Sequence, residues 1–349
     1  MEPVKTPGLP GAKNKVLFSP NILIPGVCAL VLVFLPFLLI KQEIINAYTA
    51  QVLILGGINA VLAISVNMIT GITGQLSIGQ AGFMAIGAYS CIFLTQDLYL
   101  PLPVSILLAG LFTAFFGFLI GFPTLKLTGD YLAIVTLGFG EIIRVILTNI
   151  KTITGGANGR HFTTDLILHP DLSFLTITAV LAVIIILLQN FLRSTYGRAI
   201  LAIREDEIAA GANGISVFRY KMIGFVIASF IAGIGGCLYA LAVGFVKPDV
   251  ASFNKSIDYL IFVVLGGMGS MTGSVLAAYV LTYLQESLRL LRDYRLIIYP
   301  LILIFVMLFR PQGLLGMREL SFVRLCQRLW GLVRRLWSLT GRGRGKARG

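Results

Sequence analysis

The sequence has 349 residues, of which 57% are hydrophobic and only 12% are charged, and its mean hydropathy is +0.89. A soluble domain carries about twice that charged fraction, and one aqueous core could not hide so much apolar surface. These values exclude an ordinary soluble enzyme, a disordered chain and a nucleic-acid-binding domain. They indicate a polytopic α-helical membrane protein.

Apolar runs near the ~20 residues that a helix needs to cross a bilayer recur along the chain. Because backbone polar groups in lipid need partners within their own segment, we expect these runs to be helices. The predicted fold class is an all-α polytopic membrane protein with about eight to ten transmembrane helices. The runs cover residues 22–40, 49–69, 77–95, 103–122, 131–150, 172–191, 222–246, 260–284 and 296–309.

Basic residues indicate which ends of the spans face the cytoplasm, because short cytoplasmic loops carry an excess of Lys and Arg. Segment 1–21 contains three lysines, so we place it inside. Counting spans from there places the basic loop 193–221 inside and the loops 96–102 and 151–171 outside. We therefore predict a cytoplasmic N-terminal segment over residues 1–21 and a transmembrane domain over residues 22–310.

The chain ends in a basic tail that carries most of the net charge of +13. Residues 310–349 contain ten basic residues and one acid. Apolar residues from Phe322 to Trp337 recur at helical spacing between the arginines, which is typical of an amphipathic helix on an anionic membrane surface. We predict a cytoplasmic tail over residues 311–349 with such a surface helix; a disordered extension is the alternative.

Nine uninterrupted spans would place this tail outside, against the charge rule. The eighth predicted span offers a repair, because glycine weakens a helix and irregular backbone is tolerated where protein covers it or where it lines a cavity. We predict a broken or re-entrant helix near Gly266–Gly269, with Gly266, Gly267 and Gly269 at the break or beside a translocation path. The rival repair is that another glycine-rich run, such as the third, does not span.

The loop 193–221 is the longest polar stretch on the predicted inner side. An apolar stripe at helical spacing covers 199–203, and acids that favour a helix N-terminus follow it. We predict one or two short amphipathic helices, the second over 206–210 and ended by Gly211 or Gly214. The loop is either a solvated connector or a docking element, in which small residues allow close approach and charges fix the register.

Catalytic motifs are not readable in the sequence. Residues 76–80, LSIGQ, look like an ATPase signature, but no phosphate-binding loop accompanies them. His161 and His169 have no clear ligand cluster, so we expect no metal site. Glu141 and Arg144 lie three apart within a span, where ionisable groups are costly. They form either an intrahelical ion pair, which we favour, or a polar patch near a translocation path.

Six stretches together carry a family resemblance. They are NMITGITGQLSIGQAGFMAIGAY at 67–89, PTLKLTGDYLAIVTLGFGEIIR at 123–144, TGGANG at 154–159, GRAILAIREDEIAAGANG at 197–214, VLGGMGSMTG at 264–273 and RPQGLLG at 310–316. In this order they resemble the permease subunits of bacterial branched-chain amino acid ABC importers, in particular the LivM type. Urea and amide permeases share much of this pattern and stay open as an alternative.

The resemblance implies a multi-pass protein of the bacterial inner membrane, and the basic residues place both of its termini in the cytoplasm. It implies a second permease subunit, usually a different chain, and two cytoplasmic ATPase subunits that carry ATP and Mg²⁺. It also implies a periplasmic or surface-anchored binding protein that delivers leucine, isoleucine or valine. No cofactor is implied for this chain.

The resemblance also assigns candidate site residues. The loop 197–214 would dock into an ATPase groove, although Ile208 stands where the family's short Glu-Ala-Ala pattern has Ala. The loop with Gly155, Gly156 and Asn158 would face the binding protein. The candidate coupling residues are Gly197, Arg198, Ala202, Arg204, Glu205, Glu207, Ala209, Ala210 and Gly214.

Two functions of other classes stay open. An ion- or proton-coupled secondary carrier would be expected to show functional acids or broken helices near the membrane midplane. A passive channel for a small neutral solute such as urea would conduct without any partner chain.

Overall fold

The structure is a computed structural model that describes residues 37–40, 42, 46–127, 129–164, 169–289, 294–310, 313–314 and 316. The predictions for the N-terminal segment, for most of the first span and for the surface helix in the basic tail lie outside the described residues. The helices are α1 (Ala47–Val66), α2 (Gln80–Ile92), α3 (Leu102–Thr124), α4 (Asp130–Asn149), α5 (Lys151–Thr154), α6 (Pro170–Arg193), α7 (Thr195–Glu205), α8 (Glu207–Ala212), α9 (Val217–Val243), α10 (Phe253–Gly266), α11 (Met271–Ser287) and α12 (Arg295–Phe309).

Shorter elements join these helices. Two strands, β1 (Arg160–His161) and β2 (Phe245–Val246), pair antiparallel with Arg160 opposite Val246. The remaining turns are π-helical at Asn67–Ile72 and Phe93–Asp97 and 3₁₀-helical at Gly156–Asn158 and Pro248–Ala251.

Five segments are long and apolar enough to cross a membrane. They have 20 to 27 residues and mean hydropathies of 1.7 to 2.6, and they comprise α3, α4, α6, α9 and the continuous segment Ala47–Ile72. Each of the five predicted spans that correspond to them agrees with the observed bounds to within five residues at either end. The all-α polytopic fold class is therefore confirmed.

The predicted break in the eighth span is also confirmed. Helix α10 ends at Gly266 and α11 begins at Met271, and Gly267 and Gly269 between them have φ of +107° and +89°. These φ values favour glycine. The Ser270 side chain accepts a hydrogen bond from Gly273 N at 3.1 Å and so caps α11. The break thus replaces one long span by two shorter helices.

The predicted spans over residues 49–69 and 77–95 leave a second interruption over residues 70–76, which lies at 73–79 in the structure. Helix α1 widens into a π-helical turn at Asn67–Ile72, and α2 begins only at Gln80. The helix predicted over residues 77–95 therefore begins three residues later than predicted. Gly74 between the two helices has a φ of +72°, and Ile78 N donates to the Thr136 hydroxyl of α4 instead of to a carbonyl of its own helix. Irregular backbone therefore takes the place of a helix over residues 73–79.

Glycines bring the backbones of α2 and α9 together. A Cβ at Gly87 would lie 2.2 Å from Gly233 O, and a Cβ at Gly236 would lie 1.9 Å from Met84 O. Helix α9 packs as closely on its other side, where a Cβ at Gly117 of α3 would lie 2.4 Å from Ser229 Oγ. Small residues allow such close approach in lipid, where no hydrophobic effect drives helices together. The long helix α9 is therefore packed between α2 and α3.

Helix α9 runs from one end of the bundle to the other. It has 27 residues, which corresponds to about 40 Å at 1.5 Å per residue. Its first residue follows the α7–α8 pair, and its last residue precedes strand β2. We call these the α7–α8 end and the strand end.

Candidate functional site

Helix α7 lies against the bundle through its apolar face. Ile200 and Ile203 are 1% and 4% exposed, which confirms the predicted apolar stripe. The Ser194 side chain caps the helix by accepting from Gly197 N at 3.3 Å. A Cβ at Gly197 would lie 2.4 Å from Leu192 Cα, so this glycine permits the close turn after α6.

Helix α8 is capped and closed by local hydrogen bonds. The Asp206 carboxylate accepts from the N–H groups of Ile208 and Ala209, both at 2.9 Å, as a helix N-cap does. The helix extends to Ala212, so the prediction that Gly211 ends it is wrong. Asn213 Nδ2 donates to Ala209 O at 2.8 Å and Gly214 has a φ of +80°, so the chain turns there instead.

The exposed surface of α8 is partly apolar. Ile208 is 87% exposed at the α7–α8 end. Glu207 and Lys221 form an ion pair at 2.5 Å beside it. Among the predicted coupling residues, Gly197 and Ala210 are buried and Arg204 is half-buried. The exposed members are Arg198, Ala202, Glu205, Glu207, Ala209 and Gly214.

Arg204 connects α7 to both helix interruptions. A Cβ at Gly269 would lie 2.8 Å from Arg204 Nη1, and a Cβ at Gly74 would lie 3.2 Å from Arg204 Cγ. Gly269 N also donates to Asn67 Oδ1 at 2.8 Å, which joins the two interruptions directly. This role of Asn67 and Gly74 was not predicted, although both residues lie in the motif 67–89. The described residues around Arg204 thus form one junction, which we call the Arg204 junction.

The segment after α12 lies at the same end. Leu314 N donates to Leu265 O at 2.7 Å, and a Cβ at Gly313 would lie 2.6 Å from Gly267 N. Gly313 and Leu314 of the motif 310–316 therefore pack on the break between α10 and α11. The break was predicted so that the chain after the last span would lie on the same side as the loop 193–221, and these residues do lie at that end.

The glycine-rich loop 154–159 lies at the strand end. Gly155, Gly156 and Gly159 have φ of +74°, +65° and +77°. Gly155 and Asn158 are exposed, whereas Gly156 is buried. The structure therefore makes two of the three predicted binding-protein-facing residues accessible.

An ion pair joins this loop to the π-helical turn Phe93–Asp97, which follows α2. Arg160 Nη2 lies 2.6 Å from Asp97 Oδ1, and Arg160 also donates to Ile153 O at 2.8 Å. The hydrogen bond from Arg160 lowers the pKa of the Asp97 carboxyl. The contribution of the pair to stability is therefore present above the ordinary carboxyl pKa of about 3.9 and is lost as pH falls through the lowered value.

Glu141 and Arg144 form the predicted intrahelical ion pair at 2.7 Å. The pair also reaches beyond α4. Glu141 Oε1 accepts from Phe253 N at 3.3 Å, and Arg144 lies 3.7 Å from Asp249. The two side chains therefore tie α4 to the start of α10.

These features define a multi-pass membrane protein whose interrupted helices are typical of transporters. Residues 48–307 match the family described as "Branched-chain amino acid transport system / permease component". The chain therefore belongs to this family of permease components, and the predicted resemblance is confirmed.

Individual relatives agree with this assignment. The chain is 39% identical over 298 residues to the high-affinity branched-chain amino acid transport system permease protein LivM of Escherichia coli, covering 77% of this chain and 70% of that relative. It is 26% identical over 314 residues to the corresponding LivH protein of the same organism, covering 82% and 99%. It is 23% identical over 247 residues to the ribose import permease protein RbsC of Haemophilus influenzae, covering 67% and 75%. No solved structure matches the chain.

Proposed function

We propose that the chain is one permease subunit of an ATP-driven importer of branched-chain amino acids. It resides in the bacterial inner membrane with the α7–α8 end and both termini in the cytoplasm. The observation that carries the proposal is the exposed α7–α8 pair, which presents Ile208 outward and reaches both helix interruptions through Arg204.

The proposed complex contains four further chains around this one. A second permease, for which a LivH-like chain is the natural candidate, completes the membrane part. Two cytoplasmic ATPases bind ATP and Mg²⁺ and receive α8 in a surface groove. A binding protein delivers the amino acid at the strand end, where Gly155 and Asn158 are exposed.

Coupling follows from the Arg204 junction. ATP binding draws the ATPases together and displaces α8, and α7 moves with it because only Asp206 separates the two helices. Arg204 then displaces Gly74 and Gly269, so both interrupted segments move in one step. ATP shifts the conformational equilibrium only as far as it binds the two states differently.

The experiment is uptake of labelled leucine into proteoliposomes that contain the whole complex with ATP inside and the binding protein outside. We expect uptake to require all components and to continue in the presence of an uncoupler. Excess isoleucine or valine should compete, whereas urea and amides should not. Flux through this chain alone would support a channel, and uptake that is independent of ATP but abolished by the uncoupler would support a secondary carrier.

A further inference from the structure

The interrupted segment 67–80 contains an unusual cluster of buried polar atoms. Within the described residues, eight buried side-chain N or O atoms have no hydrogen-bond partner, and five of them belong to this segment. Interiors of native proteins normally provide such atoms with a protein, water or ligand partner. The five atoms are Asn67 Nδ2, Thr70 Oγ1, Gln75 Oε1, Ser77 Oγ and Gln80 Oε1.

The segment lies among helices from distant parts of the chain. Ile78 N donates to Thr136 of α4 at 3.1 Å, and Ala81 N donates to Ser256 of α10 at 3.2 Å. Gln80 Nε2 approaches Ala228 O of α9 at 3.4 Å. Helices from three other parts of the chain therefore contact the polar cluster.

The polar side chains of the segment suit the ammonium and carboxylate groups of a zwitterion. Residues 67–80 contain no Asp, Glu, Lys or Arg, so every polar side chain is neutral. Amide and hydroxyl oxygens accept from an ammonium group, whereas amide N–H and hydroxyl groups donate to a carboxylate. A path must bind its solute weakly enough to release it, and a neutral lining avoids the strong attraction of a fixed opposite charge.

The irregular backbone of the segment is also typical of a solute-binding site. Irregular backbone at membrane depth is tolerated where it is buried in protein or lines a water-filled cavity, and interrupted helices form the solute sites of other transporters. Gln75, Ser77 and Gln80 are 5%, 3% and 1% exposed, so the segment is enclosed in this conformation. At the α7–α8 end of the bundle, Gly74 of this segment lies against Arg204.

We propose that residues 67–80 line the solute path and that Gln75, Ser77 and Gln80 form transient hydrogen bonds with the ammonium and carboxylate groups of the amino acid. This inference rests on the proposed function, since it assumes that the importer carries amino acids.

Two kinds of variant test the proposal in the reconstituted complex. In a background without the four native cysteines, Ser77→Cys should react with a small charged methanethiosulfonate during ATP turnover, and the reaction should block leucine uptake. Ser229→Cys is the matched control, because Ser229 is 0% exposed and its hydroxyl already donates to Phe225 O at 2.9 Å. Gln75→Cys provides the same readout if Ser77→Cys does not assemble.

Replacement by an apolar residue separates a path role from a structural one. Ser77→Ala removes a hydroxyl that has no partner, so the thermal stability of the complex should be unchanged or higher. Leucine uptake should fall by about tenfold, the factor that corresponds to one lost hydrogen bond, while ATP hydrolysis stimulated by the binding protein persists. Ser229→Ala should leave uptake unchanged.

A cysteine at position 77 or 75 that stays as unreactive as Ser229→Cys, or that reacts without loss of uptake, would overturn the inference. So would normal uptake by Ser77→Ala. Failure of the proposed function is distinguishable, because the unmodified complex would then show no ATP-dependent leucine uptake at all.

Discussion

Gly236→Ala should destabilise the protein severely, whereas Gly138→Ala should not. An added Cβ at Gly236 would lie 1.9 Å from Met84 O and 2.8 Å from Ala88 N. Both atoms belong to the backbone of α2, so no side chain can rotate away and the two helices must separate. Overpacking of a well-packed core typically costs about 1–3 kcal/mol, and we expect the upper part of that range here.

The thermal unfolding midpoint of the detergent-solubilised protein measures this effect. Gly138 is the matched control, because it also lies in a long apolar helix and an added Cβ there meets nothing within 4 Å. Alanine is a better helix former than glycine by about 1 kcal/mol, so the midpoint of Gly138→Ala should equal or exceed that of the unmodified chain. A Gly236→Ala protein that melts like the unmodified chain would show that α2 and α9 do not pack as described.

Ile208→Asp should strongly weaken binding of the ATPase subunits without destabilising the permease. Ile208 is 87% exposed, so its side chain contributes little packing within the chain. In the proposed complex it enters a groove of the ATPase, where a buried, unpaired carboxylate is costly. Loss of a central apolar contact of this kind costs about 2 kcal/mol or more, which corresponds to a roughly 30-fold weaker complex.

Copurification of the ATPases and their ATP hydrolysis measure the effect of this change. Tyr99→Asp is the matched control, because Tyr99 is also 87% exposed but follows the α2 segment at the strand end. The control should retain the ATPases, and both variants should unfold at the same temperature as the unmodified chain. Normal ATPase binding by Ile208→Asp would remove α8 from the proposed interface.

Much of the fold could be predicted because its signals are local. Length and apolar composition alone locate the five long spans. The break at Gly267–Ser270 was predictable because a glycine cluster coincided with a conflict in the charge rule. The acids at 205–207 indicated a second short helix, and Asp206 does cap it.

The remaining features depend on contacts between distant residues. The interruption over residues 73–79 was predicted only as a short gap between two spans, at 70–76. The hydrogen bond from Ile78 N to the hydroxyl of Thr136, which helps to position it, joins residues 58 apart in the sequence. Arg204 was predicted as a coupling residue from the resemblance. Its contacts with Gly74 and Gly269 were not predictable, because no local pattern specifies which glycines it meets.

The orientation of the two ends of the bundle is the test on which the proposed function depends. The test uses two single-cysteine variants, Ile208→Cys and Asn158→Cys, in a background without native cysteines. Each is labelled with a membrane-impermeant maleimide in cells whose outer membrane has been permeabilised. The proposed topology predicts labelling of position 158 in cells with an intact inner membrane, and labelling of position 208 only after that membrane is permeabilised. Labelling of position 208 from the outside would contradict ATPase docking at α8 and the mechanism derived from it.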